Sequence, residues 1–191
     1  GVPVTILSFC ASTPFAGNHD VNASDMRALA GILHESPVLY AGFSAGALAA
    51  FLAAAEDSRA VAYLGLDAVD SGGLAAPAAR SFRLPALFLA GEPSACNAQG
   101  NFLAAIPRTP GVGVLRIRYA QHGHFEDPYD PGLESICGAV EPREEALDIR
   151  STIKALATAW VLQNTGAMKD AGGLLPDAWT GAAEWGGRIK V

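Results

Sequence analysis

Gly42-Phe43-Ser44-Ala45-Gly46 has the residue types and spacing of a nucleophilic turn. A serine with a glycine two places away on each side suits a sharp strand-to-helix bend. There the backbone passes close to itself, and a glycine has no Cβ to collide. The flanks agree. Residues 38–43, VLYAGF, are an apolar run of strand length, and residues 45–56, AGALAAFLAAAE, are a helix of small residues able to lie close to a sheet. A helix starting at this point directs free N–H groups and its positive end towards the hydroxyl, which favours negative charge developing on a bound substrate. The amide of Ala45 is then the expected oxyanion donor. The bland alternative is a glycine-rich turn holding an incidental serine.

A serine hydroxyl attacks poorly until a base takes its proton. The partners of a nucleophile in such a turn follow it along the chain, acid before histidine. His19 and His34 precede Ser44, so that order disfavours both. His122 and His124 follow an expected strand at 112–119, in Gln121-His122-Gly123-His124-Phe125-Glu126-Asp127-Pro128, and either suits the base. The other would then be a solvated loop histidine. Two histidines at this spacing can chelate a metal, but no cysteine or carboxylate spacing completes a zinc set. No metal and no cofactor are expected. The third member must be a carboxylate that orients the imidazole and stabilises its cation. Asp67 follows an expected strand at 61–66, Glu92 follows one at 84–90, and Asp70 is a third candidate.

Strand and helix signals alternate along the chain and supply the frame for these residues. Strands are expected at 4–9, 38–43, 61–66, 84–90 and 112–119, with Pro85 confined to a strand start. Helices are expected from a cap at Asn22 or Ser24 to Leu33, where Pro37 ends the pattern, then at 45–56, briefly at 101–106, and at 143–164. The last carries Leu147, Ile153, Leu156, Ala157 and Trp160 on one face. Residues 11–21, 67–79 and 121–131 read as loops, and the glycine-rich tail as irregular. Apolar strands separated by helices imply an α/β fold, a mostly parallel sheet with helices on both faces. Ligands in such sheets sit at the carboxyl ends of the strands, where Ser44, Asp67, Glu92 and the two histidines fall.

Composition narrows the function classes. The chain has 191 residues, a length suited to one domain spanning 1–191. Half are hydrophobic and 17% are charged, which excludes disorder. Thirteen basic residues against 19 acidic ones give a net charge of −6 with no basic cluster, so no nucleic-acid partner is expected. The longest apolar stretches, such as 45–55, are about half of what a membrane span needs.

On these segments the chain resembles the α/β-hydrolase superfamily, and within it the chlorophyllase-like and dienelactone-hydrolase-like serine esterases. Gly42–Gly46 carries the superfamily motif. LGLDAVD at 64–70 is similar to the strand-plus-Asp segment that holds the acid in chlorophyllases. PSACNAQGN at 93–101 and HGHFEDP at 122–128 are similar to that group's cysteine-bearing segment and catalytic-histidine loop. The resemblance covers most of 38–128. It implies Asp67 as the acid and His122 as the base, since the aromatic and acidic residues after His122 fall in register. It also implies cleavage of a small-molecule carboxylic ester through an acyl-enzyme. The same triad serves acyl transferases, amidases and thioesterases, and a degenerate copy of the fold serves as a binding module. Chlorophyllases carry His and Arg inside the motif where this chain has Phe43 and Ala45, which argues against chlorophyll as the substrate.

The α/β-hydrolase pattern takes a second oxyanion amide from a loop after an earlier strand. The segment 4–9 suits the strand after that one, so the N-terminal strands are expected to be missing from the chain, which opens at Gly1. Cys96 and Cys137 lie in loops flanking the fifth expected strand and the histidine loop, and are expected to form a disulfide bracing the base. That implies a secreted or periplasmic protein; three reduced thiols would imply a cytoplasmic one. Cys10 has no turn glycines around it and is not expected to act as a nucleophile. Phe9, Phe15, Phe43 and Phe125 either line a substrate pocket or pack the core.

Overall fold

Residues that alternate sides along each strand split the interior into two layers. In the computed structural model, residues 1–8, 12–13, 16–34, 36–128, 132, 137, 143–168 and 189–190 are described. Four parallel strands, β1 (Val38–Phe43), β2 (Ala60–Leu66), β3 (Ala86–Ala90) and β4 (Val112–Ile117), lie side by side in chain order. The two-residue β5 (Ile189–Lys190) pairs antiparallel with β4. A separate two-stranded pairing joins Ser12–Thr13 to Ala16–Gly17.

Helices cover both faces, as an α/β fold requires. On one face, Leu64, Leu87, Leu89, Leu115 and Ile117 pack against Ile149, Ile153, Leu156 and Trp160 of α4 (Arg143–Asn164). On the other, Tyr63, Ala86 and Phe88 meet α2 (Ser44–Glu56), backed by α1 (His19–Ile32) and the short α3 (Ala75–Ala79). The alanines of α2 bring its backbone close to the sheet, leaving Phe51 to fill the centre. Its ring stacks on Phe82 at 4.6 Å and meets Tyr63 and Phe102 edge-on at 5.3 and 5.4 Å. Among the described residues no helix is long and apolar enough to cross a membrane.

Several expectations need correcting. Residues 1–8 form no strand, and Val4 and Ile6 are 76% and 90% exposed. A β-branched run becomes a strand only when a neighbour takes its backbone hydrogen bonds. Among the described residues no backbone bond ties this segment to β1, which is the edge strand of the described sheet. Helix α1 starts at His19, ahead of the expected caps, and Asn22 is buried within it rather than capping it. The expected helix at 101–106 is a 3-10 segment, Ala98–Ala105. The strand expected to reach Tyr119 stops at Ile117, and Tyr119 takes a left-handed φ of 63°. Leu147 of α4 faces solvent, while Ile149 joins the core. Phe9, Cys10, Phe15 and most of the tail lie outside the described residues.

Candidate active site

Strand β1 ends at Phe43 and α2 begins at Ser44 with no intervening loop. The bend is sharp enough to hold Ser44 at φ 54°, a left-handed conformation that strains an L-residue. Gly42 makes the bend possible: a Cβ there would sit 2.4 Å from the Gly46 carbonyl oxygen and 2.7 Å from the Cα of Ala47. The second glycine of the motif differs from expectation. A Cβ on Gly46 would meet nothing within 4 Å, so the space for the turn comes from one glycine rather than two.

Three side chains, from the ends of β1 and β2 and from the loop beyond β4, form a line. The Ser44 Oγ is 2.9 Å from His122 Nε2, and His122 Nδ1 is 2.7 Å from Asp67 Oδ2. Asp67 and His122 are 3% and 4% exposed. Asp67 follows the last residue of β2 at φ 40°, its amide bonded to the Leu89 carbonyl at 2.8 Å. The Gly91 amide donates to Asp67 Oδ1 at 2.8 Å, and the Asn97 side-chain amide donates to Oδ1 and Oδ2 at 3.3 and 3.1 Å. The Val69 amide donates to the Ser44 carbonyl at 3.1 Å, tying the aspartate loop to the serine turn. The Phe43 ring lies 4.7 Å from the His122 ring, and Phe125 packs in the core.

The other candidates are engaged elsewhere. Glu92 Oε1 accepts from the Tyr119 amide at 3.2 Å. Asp70 Oδ1 accepts from the Ala75 amide at 3.0 Å, and its backbone is bound on both sides by the Asn101 side chain. The histidine loop is not a solvated one. It closes as a buried 3-10 turn, His122–Phe125. Within it His124 Nδ1 accepts from the Gln121 amide at 2.7 Å. Burial, with the Arg150 charge nearby, brings His124 down to about 4, so it is a neutral structural group at ordinary pH. His34 is exposed, and buried His19 is likewise shifted down by desolvation.

The Ala45 amide lies in the first turn of α2, whose N–H groups have no acceptor within the helix. Cys96 and Cys137 form a disulfide with their Cα atoms 5.1 Å apart, linking the segment before β4 to the one beyond His122. Among the described residues no group of three His, Cys, Asp or Glu side chains could hold a metal ion.

This arrangement suits proton transfer. The Ser44–His122 separation lies within the range over which a base can take a hydroxyl proton, and the other ring nitrogen rests on a carboxylate. Asn97 is the site residue that the sequence reading missed. Its signal was present in the segment around Cys96, but an uncharged amide has no chemistry of its own to mark it. No protein-family model matches the chain, and no curated protein matches it.

Proposed function

We propose that this chain is a serine esterase of the α/β-hydrolase type. The observation that carries the reading is the hydrogen-bonded line from Ser44 through His122 to Asp67, at 2.9 and 2.7 Å. His122 Nε2 takes the Ser44 proton as Oγ attacks the ester carbonyl. Asp67 holds the Nδ1–H tautomer and stabilises the imidazolium. The Ala45 amide donates to the oxyanion. His122 then protonates the departing alcohol, and the acyl-enzyme is cleaved when His122 activates water in the same way. The residues supply acid, base and nucleophile for every step. The Cys96–Cys137 disulfide favours an oxidising compartment, hence a secreted or periplasmic protein.

The test is labelling with a fluorophosphonate probe alongside turnover of p-nitrophenyl esters of increasing chain length. The wild-type protein is expected to be labelled at Ser44 and to turn over at least one ester. Ser44→Ala should abolish labelling and lower kcat by about a thousand-fold or more while unfolding normally. An unlabelled wild-type protein that leaves every ester intact would reduce the site to a binding module. Cleavage of amides or thioesters in preference to esters would move it to the amidases or thioesterases.

A further inference from the structure

We propose that Asn97 is the positioning residue for Asp67, holding its carboxylate in the rotamer that meets His122; this rests on the hydrolase reading above. Asn97 is 1% exposed, and every polar atom of its side chain is used. Its Oδ1 accepts from the backbone amides of Ser94 and Gly100 at 2.8 and 3.1 Å. Two N–H donors can face only the oxygen, so the Nδ2 end must face Asp67. Nδ2 then donates to the Glu92 carbonyl at 2.8 Å and, at 3.1 and 3.3 Å, to the two carboxylate oxygens.

The chemistry fits the task. Buried carboxylate oxygens need donors in place of the water they have lost. Gly91 and Asn97 supply them from one side while His122 approaches from the other. Both are neutral donors. A cation there would draw the carboxylate away from the imidazolium that forms during turnover, whereas an amide leaves its charge for His122.

The backbone is shaped to deliver that amide. Ala98, Gln99 and Gly100 are three successive residues with left-handed φ, at 49°, 59° and 70°, and two of them are not glycine. Such strain is retained only where surrounding contacts over-determine it. Here the Gln99 amide bonds the Ser94 carbonyl at 2.8 Å, and the Asn97 Oδ1 pins both ends of the turn. The disulfide anchors the adjacent residue, Cys96, to Cys137 beyond the histidine loop. The turn and the bridge thus hold the amide and the imidazole loop together.

Two variants of the full, oxidised chain separate positioning from loop support. Asn97→Ala removes both ends of the side chain and is expected to lower kcat for a p-nitrophenyl ester about a hundred-fold, with KM little changed. Asn97→Asp keeps an oxygen for the Ser94 and Gly100 amides, and so keeps the turn, but replaces the donor to Asp67 with a second carboxylate. Two carboxylates facing each other in this buried position share one proton, which makes Asp67 a weaker acceptor for the His122 imidazolium, so kcat/KM is expected to fall about ten-fold and its pH profile to depart from that of the wild type. Its fluorophosphonate labelling should slow in parallel. If Asn97 only held the turn, Asn97→Asp would keep the wild-type kcat and profile, and that result overturns the proposal. If Asn97→Ala does not fold, the Asn97→Asp profile decides alone. A wild-type protein unlabelled at Ser44 would defeat the hydrolase reading itself, whereas a labelled wild type with an unaltered Asn97→Asp profile defeats this inference only.

Discussion

At position 42 the serine turn leaves room for a hydrogen atom and little more, because a Cβ would lie 2.4 Å from the Gly46 carbonyl oxygen. The obstacle is backbone, which cannot swing aside as a side chain can. Gly42→Ala is therefore expected to destabilise the protein by about 2–4 kcal/mol and to displace Ser44 from His122. Gly46→Ala meets open space in the first turn of α2. It should leave stability unchanged or raise it by about 0.5–1 kcal/mol, as alanine for glycine does in a helix. Urea unfolding of the pair checks this, and equal losses for both would contradict the account of the turn. Two glycines equivalent in the motif are thus not equivalent in the molecule, because only one faces the returning chain.

At the scale of elements, the Ser44–His122–Asp67 line is assembled from the ends of β1 and β2 and from a loop beyond β4. The disulfide closes the 41-residue separation that contains β4 and His122. In the chain-entropy account, a bridge across a loop of this size contributes about 2–4 kcal/mol. A Cys96→Ser, Cys137→Ser double variant should lose stability of that order. It should also lose the proposed ester turnover, since Asn97 is adjacent to one half of the bridge and the histidine loop lies inside it. Thermal unfolding and kcat measured together check both. Full stability and full activity without the bridge would show that the turn and the histidine loop hold themselves. Helix α2 contributes differently, as a rigid rod of small residues whose close approach to the sheet leaves the first-turn amides beside Ser44.

At the scale of the whole molecule, His124 and Asp57 are among the described groups that shape the response to acid. His124 has a folded value of about 4 against an ordinary 6.5, chiefly through burial. The unfolded chain therefore binds a proton that the folded one refuses. Its contribution is complete above pH 6.5 and is lost as the pH falls towards about 4, a loss of about 3 kcal/mol. Burial alone would raise Asp57, but hydrogen bonds from Arg59 and Tyr40 outweigh it and bring the carboxyl down to about 2. Its contribution is present above the ordinary value of 3.8 and disappears as the pH drops towards 2. The urea midpoint should therefore fall between pH 7 and pH 4, with His124 and the similarly lowered His19 both contributing. His124→Asn, whose side-chain oxygen can still accept from Gln121, should flatten that fall, and an unchanged slope would remove His124 as its cause.

The sequence by itself determined the strands at 38–43 and 61–66, the long helix at 143–164 and the serine turn, since each is written locally in apolar period, chain length or glycine. It also narrowed the proposed acid and base to a few residues at or beyond strand ends. Only the tertiary structure decided which of these meet. Asp67, Glu92 and Asp70 look alike in one dimension, yet Tyr119 occupies Glu92, and Ala75 and Asn101 occupy Asp70. His122 and His124 differ by two positions, and the 3-10 turn sends one ring to Ser44 and the other into its own backbone. The segment at 4–9 carries a strand signal without forming a described strand, because β-structure depends on a partner that no single segment contains. Asn97 was invisible for the same reason: its role is defined by the groups around it, which the chain brings together only on folding.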